Sequence, residues 1–547
     1  MARNFKFKDQ IVTEYDYVIV GGGSAGCVLA ARLTEDGRHR VLLLEAGGSD
    51  RSPWIQMPIG YGKTFTDPAF NWLYQTEPDP GLGNRAALAP RGKVLGGSGS
   101  INAMVYVRGQ RGDFDDWAAA GNTGWGYRDV LPYFRRMEDH VDGASEYRGA
   151  GGPMHVIDIS RDVHPLCNRF LQTCDTLGIP RTADFNGAQT EGAGIWNMTI
   201  KNGVRVSTST AYLRPARKRT NLHVVTHAQA TRILLEGREA RGVEYLRNGT
   251  LHQAMARCEV ILSAGAVNSP QLLQLSGIGD PALLQSLGLP VVQAAPRVGQ
   301  GLQDHVAVSY YYRSKVPTLN DELSPMLGKL RAGIRYVLTR KGPLGMSVNQ
   351  AGAFVRSRPG LERPNLHIYF NPLSYTAATG ARRKLTNPDP WSAFLLSFNT
   401  CRPTSRGSVT INDANPLAAP AIQTNFLATA EDIADVYDGA RFLRRIAEAA
   451  PLKDIIEREY QPGAAITTDD EVLADFRARA GSVYHLSCTC AMGPDPATSV
   501  VDPQLRVHGV GRLRVVDTSV FPAVTSGNTN APTIMVAEKA ADLILAG

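Results

Sequence analysis

The apolar residues of this chain fall into short β-branched runs and longer stretches with helical spacing. Tyr15 to Val20 (YDYVIV) is a compact apolar run ending at glycine, which predicts a buried strand. Cys27 to Leu33 (CVLAARL) predicts a helix of small residues, and Arg40 to Glu45 (RVLLLE) a second strand closed by an acid. Helical spacing returns at Leu327 to Leu338, Ala428 to Ala450 and Thr467 to Arg479. Between them, Ser392 to Thr400 and Gly407 to Asn412 predict strands. The chain closes with a strand at Leu513 to Val516 and a helix at Ile534 to Leu545. The middle therefore reads as mixed sheet and helices, distinct from the start.

Two glycine loops sit in this pattern. The first, Gly21-Gly22-Gly23-Ser24-Ala25-Gly26, joins the opening strand to its helix and satisfies G-x-G-x-x-G at Gly21, Gly23 and Gly26. Strand, glycine turn, helix, strand and acid follow at the spacing of a dinucleotide-binding βαβ unit. Gly21 permits the turn, Gly23 lets backbone approach a pyrophosphate, and Gly26 lets helix and strand pack. The helix N-terminus offers free N–H groups to phosphate, and Glu45 is placed to accept from ribose hydroxyls. This pattern does not separate FAD from NAD. The second loop, Gly92 to Tyr106 (GKVLGGSGSINAMVY), holds glycines too dense for a helix or strand interior. It predicts backbone approaching something flat or anionic; a flexible surface loop is the plain alternative.

Composition narrows the class. A chain of 547 residues exceeds one ordinary domain. Hydrophobic content of 43% with 20% charged residues describes a globular protein, and a net charge of +7 without basic–aromatic interleaving argues against nucleic acid. Seven scattered cysteines predict free thiols in a reducing compartment, and Cys488-x-Cys490 lacks the second pair a metal site needs, so no metal is expected. No 18-residue apolar run predicts a membrane span, and the opening MARNFKFKDQIV has no signal-peptide core, which predicts a cytoplasmic protein. Leu327 to Leu338, with Lys329, Arg331, Arg335, Arg340 and Lys341 around it, is readable as a peripheral membrane contact. Packing of its apolar face onto its own domain is the expectation, because that is the commoner use of such a helix.

Four segments together resemble the glucose–methanol–choline oxidoreductase family. Gly92 to Asp115 fits its first signature and Gly265 to Gly279 (GAVNSPQLLQLSGIG) its second; the N-terminal fingerprint and the C-terminal segments below complete the order. The resemblance implies FAD and a mixed α/β and α+β fold. A discontinuous Rossmann-like FAD-binding domain would use residues 1–155, 205–310 and 480–547. A substrate domain on an antiparallel sheet flanked by helices would use 156–204 and 311–479. It places Gly97, Gly99, Asn102 and Ala103 against the flavin. It further implies FAD contacts at Ser24, Ala25, Ala46, Arg91, Val94, Met104, Val105, Ala230, Ala264, Asp517, Asn530 and Thr533. Some members tether FAD through a His one residue before the Asn; here that position is Ile101, so FAD is expected to be noncovalent.

Alcohol oxidation needs a base for the hydroxyl proton and an acceptor for the hydride. His485, in Tyr484-His485-Leu486-Ser487-Cys488-Thr489, resembles the family's catalytic base. His305, in Leu302-Gln303-Asp304-His305, reads as a buried structural histidine. Asn530 stands where the resemblance implies a His or Asn facing the flavin, with Asn528 taken as the helix N-cap. Choline-oxidising members carry a Glu where this chain has Ala307, so a neutral, primary alcohol is expected. Electrons would pass to a quinone, another carrier or O2, with a dehydrogenase favoured over an oxidase. Alcohol oxidase, choline dehydrogenase and a flavin-containing hydroxynitrile lyase remain alternatives, as do a light-driven decarboxylase and a silent flavin binder.

Overall fold

A computed structural model describes residues 14–377 and 383–547, without the side chains of 376, 377 and 383–387. One sheet is built around the opening strand Glu14–Val20, which pairs in parallel with Val41–Leu44 on one side and Thr250–Leu262 on the other. Leu222–Val225 extends it in parallel beyond Val41–Leu44. The long strand Thr250–Leu262 divides its far edge. Its first half pairs antiparallel with Glu239–Arg247, and its last residues pair in parallel with Leu513–Val515. Its centre, Tyr17–Val20 between Val41–Leu44 and Val260–Leu262, is apolar, as expected of strands covered on both faces. Helix Ser24–Arg32 packs on the C-terminal helix Asn530–Leu545, so the two ends of the chain share one core.

A second sheet is wholly antiparallel, in the order Ile456–Gln461, Val306–Ser314, Ala393–Thr400, Leu366–Asn371, Ala351–Val355, Gly192–Ile195. Alternation splits its faces. Val308, Tyr310, Tyr312, Phe394, Leu396, Phe398, Ile368 and Phe370 point into one core, where helix Ala430–Ala447 covers the sheet. Ala307, Ser309, Tyr369, Asn371, Leu395 and Ser397 point the other way, into a cavity. Tyr311 shares that side and packs against Tyr375 and Tyr460.

Two sets of strand pairings cross the expected domain edges. Val306–Ser314 is one continuous strand of the antiparallel sheet, so the edge expected at residue 310 falls inside it, and Gly481–Ser482 pairs with that strand too. Gly407–Thr410 pairs with Gln300–Leu302, and Gln274 donates to the Val409 carbonyl at 3.1 Å. That piece of the 311–479 segment thus packs on the 205–310 segment. The expectation for Leu327 to Leu338 is also corrected. The helix forms as Met326–Thr339, but it buries only Ala332 and Tyr336 and turns its apolar face to solvent. All seven cysteines are free thiols.

Candidate active site

The two glycine loops meet. Gly96 N donates to the Gly22 carbonyl at 2.7 Å. A Cβ added to Gly97, which has φ +54°, would lie 2.7 Å from the Gly23 Cα, so only glycine permits this approach. Gly21, at φ +101°, makes the turn against Ser263. A Cβ on Gly23 would meet nothing nearer than 3.8 Å. It would project into the open cradle in front of the helix N-terminus, where a pyrophosphate fits.

From this cradle a single cavity runs to the antiparallel sheet. Gly21, Gly23, Ser24, Ala25, Glu45, Ala46, Arg91, Gly97, Asn102, Ala103, Met104, Val105, Ala230, Ala264, Asp517, Asn530, Thr533 and His485 all line it. Gly26, Val94 and Gly99 lie just outside that lining. Gly26 lies against the Gly21 carbonyl, where a Cβ would clash at 1.9 Å. Gly99 lies against the Ser24 hydroxyl. Val94 packs behind the loop with Ile55 and Ile101.

Glu45 is buried, accepting from Gly22 N at 2.8 Å and Gly47 N at 2.7 Å. Burial pushes its carboxyl up to about 7. Each oxygen keeps a second lone pair for a ribose hydroxyl. Asp517 accepts from Gly265 N, Ser269 Oγ and Ser519 N. Asn102 Oδ1 accepts from Met104 N at 3.0 Å and from Arg205 Nη1 at 2.7 Å, which leaves its Nδ2 for the cavity. Arg205 is buried, and burial brings it down to about 9.

At the sheet end stands His485, on the loop after Gly481–Ser482. Its backbone is tightly held: Tyr484 has φ +73°, Arg91 donates to the Tyr484 carbonyl, and Asp304 Oδ1 accepts from His485 N at 2.7 Å. Burial lifts the Asp304 carboxyl to about 6. The ring is fixed from both sides. His305 Nε2 lies 3.0 Å from the Cys401 carbonyl, which can only accept. Burial lowers His305 to about 4, so it is neutral and its Nδ1 bears a lone pair. That Nδ1 is 2.8 Å from His485 Nδ1, which must therefore carry the hydrogen. His485 Nε2 is left as a bare acceptor, 3.0 Å from Asn528 Nδ2. Burial, then the neighbouring His305, His367 and Arg91, hold His485 well below the usual histidine range.

Asn528, rather than Asn530, is the asparagine that reaches His485. The C-terminal helix starts at Asn530, not Ile534, because Pro532 sits in a first turn where its missing N–H costs nothing. Thr529 is the N-cap, without a side-chain cap bond. Asn530 Oδ1 accepts from Ser24 Oγ at 2.8 Å, tying the C-terminal helix to the first glycine loop. Asn528, read from sequence as the cap, reaches His485 instead. The Asn-x-Asn repeat is the signal the sequence offers, and two residues decide which side chain faces His485. The sheet residues Ser309, Tyr369, Asn371 and Ser397 were also missed, since their strands carry no motif. Asn371 Oδ1 is buried without a hydrogen-bond partner. Among the described residues, no group of three or more His, Cys, Asp or Glu is placed to hold a metal ion.

Comparison with known proteins gives this geometry its context. Family models described as GMC oxidoreductase match residues 15–307 and 403–537. The chain is 46% identical over 534 residues to an oxygen-dependent choline dehydrogenase of Vibrio vulnificus, covering 97% of this chain and 94% of the relative. It is 42% identical to an alcohol dehydrogenase [acceptor] of Pseudomonas putida, covering 97% and 96%. Among solved structures, a variant of Aspergillus oryzae formate oxidase studied for its FAD modification superposes with a TM-score of 0.90 at 27% identity, covering 98% of both chains. FAD is the cofactor these findings support, and the cradle at Gly23 fits its pyrophosphate. The chain belongs to the GMC oxidoreductase family, flavin enzymes that oxidise CH–OH donors.

Proposed function

We propose that this protein oxidises a neutral primary alcohol to its aldehyde, with His485 as the base and a quinone or other carrier as the final electron acceptor. The observation that carries the base assignment is the ordered chain from the Cys401 carbonyl through His305 to His485. It points a neutral Nε2 lone pair into the cavity. The alcohol hydroxyl displaces Asn528 Nδ2 from that lone pair and donates to it. Asn528, still within reach, then donates to the oxygen as negative charge builds there, without competing for the proton. Bound FAD supplies the hydride acceptor. Gly23, Ser24 and the helix N-terminus hold its phosphates, Glu45 its ribose, and Asn102 to Val105 its ring end.

The substrate wall argues for a neutral alcohol. Tyr61, Phe65, Tyr369, Tyr375 and Leu395 provide apolar surface; Ser309, Asn371 and Ser397 provide neutral polar groups. The lining acids, Glu45 and Asp517, are both at the cofactor end. Ala307 offers no charge, and the sequence from 376 to 387 (TAATGARRKLTN) contains no acid. Choline is the second reading. It is favoured by the choline dehydrogenase relatives and by the same tyrosines, whose faces attract a quaternary ammonium.

The test is anaerobic mixing of the FAD-loaded enzyme in the dark with primary alcohols and with choline, following flavin bleaching. Fast bleaching by neutral alcohols with little by choline is expected. Faster bleaching by choline would replace the substrate reading, and none with any alcohol would overturn the oxidation itself. Admitting oxygen to the reduced enzyme separates dehydrogenase, with slow return of colour, from oxidase.

A further inference from the structure

We propose that helix Met326–Thr339 docks this protein onto an anionic lipid bilayer. Met326, Leu327, Leu330, Ile334, Val337 and Leu338 recur at spacings of three, four and seven and so share one face. They are 52–81% exposed. An apolar face this complete is ordinarily buried. Here the opposite side is the one held by the protein. Ala332 packs with Leu323, Met346 and Val348, and the Tyr336 hydroxyl donates to the Gly203 carbonyl at 2.9 Å. The helix is therefore anchored by its inner side, with its apolar side left outward.

Charge identifies the occupant. From Ser324 to Lys341 the sequence has five basic and no acidic residues. Lys329 and Arg340 lie to one side of the apolar face and Arg331 and Arg335 to the other, all exposed. Among the described residues, none of Lys329, Arg331 and Arg335 makes an ion pair. An apolar strip bordered by cations is what a helix lying in a lipid headgroup layer requires. A second copy of this chain fits worse, because two-fold pairing of the same face sets its cations against themselves. No helix among the described residues is long and apolar enough to cross a membrane, so the contact is a surface one. The segment after the helix, Pro343–Gly345, packs on Pro58–Gly60 and leads to Val348 and Asn349 on the cavity wall. Docking thus brings the substrate cavity beside the bilayer.

The test is co-sedimentation of the FAD-loaded enzyme with vesicles of phosphatidylcholine, with and without phosphatidylglycerol. Two variants accompany it: Leu327→Ser/Leu330→Ser/Ile334→Ser/Val337→Ser, and Lys329→Glu/Arg331→Glu/Arg335→Glu. The wild type is expected to bind the anionic vesicles and to lose binding as salt rises from ~0.05 to ~0.5 M. Each variant should bind about tenfold less at unchanged FAD content. Should one variant fold poorly, the other and the salt series still decide. Absence of wild-type binding, or equal binding by wild type and variants, overturns the proposal. So does a dimer, seen by light scattering, that the serine variant abolishes. The readout needs no turnover, so it stands apart from the choice of alcohol.

Discussion

Asn528 presents its Nδ2 to His485 Nε2 at 3.0 Å, while Asn530, two residues on, turns away to accept from Ser24 at 2.8 Å. One short Asn-x-Asn segment therefore serves two ends of the same cavity. Asn528 lies beside His485, and Asn530 joins the C-terminal helix to the first glycine loop.

The two asparagines should separate by experiment. Asn528→Ala should slow anaerobic flavin reduction by about 10²-fold, the size expected for one lost transition-state donor, with FAD content unchanged. Asn530→Ala should leave the reduction rate within a few-fold and loosen FAD instead, because it frees Ser24 and the loop. Titration of apoprotein with FAD and stopped-flow reduction measure the two effects. A larger rate loss at Asn530 than at Asn528 would reverse the assignment.

His305 acts through His485. It gives His485 Nδ1–H its acceptor and so keeps the lone pair on Nε2. His305→Phe should cut the reduction rate by roughly 10–100-fold with a smaller change in KM, and His305→Gln, which retains an acceptor, should recover part of it. A structural role alone would lower FAD content and stability without this split between kcat and KM.

The acid limb of activity should lie below the ordinary histidine value. His485 is held well below 6.5 chiefly by burial, so its neutral, base-competent form persists as pH falls. The rate of flavin reduction should stay flat as pH falls through the ordinary histidine value and decline only well below it. A midpoint at 6.5 or above, measured by anaerobic stopped flow, would show that the base is solvated or is another group.

Gly97→Ala should uncouple the glycine loops. The alanine would carry φ +54° and put Cβ 2.7 Å from the Gly23 Cα. The backbone conformation alone costs about 1–3 kcal/mol, and the clash adds to it. A lower melting temperature and weaker FAD retention are expected; wild-type values for both would mean the loops are not packed as described.

FAD should come off without bond cleavage. Ile101 lines the cavity with no nucleophile. Acid precipitation should leave the yellow colour in the supernatant and a protein mass without added flavin.

The sequence made the first glycine loop legible because phosphate binding imposes a local pattern: a turn at Gly21, an approach at Gly23, a packing contact at Gly26. The strands and helices around it were legible for the same reason, since each follows from its own few residues. The apolar helix at Met326–Thr339 was legible as a helix but not as an outward-facing one. Periodicity reports that one face is apolar, not what lies against it.

The antiparallel sheet had the least local signal. Ser309, Tyr369, Asn371 and Ser397 sit on three strands far apart in the chain and become one wall only through pairing, as Ser309 opposite Ser397 opposite Tyr369 shows. His305 is buried and hydrogen-bonded as its sequence context suggested, but only the fold sets it 2.8 Å from His485.

By itself, then, the sequence determined the nucleotide cradle and the family, and it singled out His485 as the candidate base, because each rests on contiguous residues in a recognisable spacing. Only the tertiary structure decided which asparagine faces that base, which nitrogen of His485 is bare, and which side of the apolar helix meets solvent. Those are relations between segments up to 506 residues apart, and hydrogen-bond direction and burial are settled only when the segments meet.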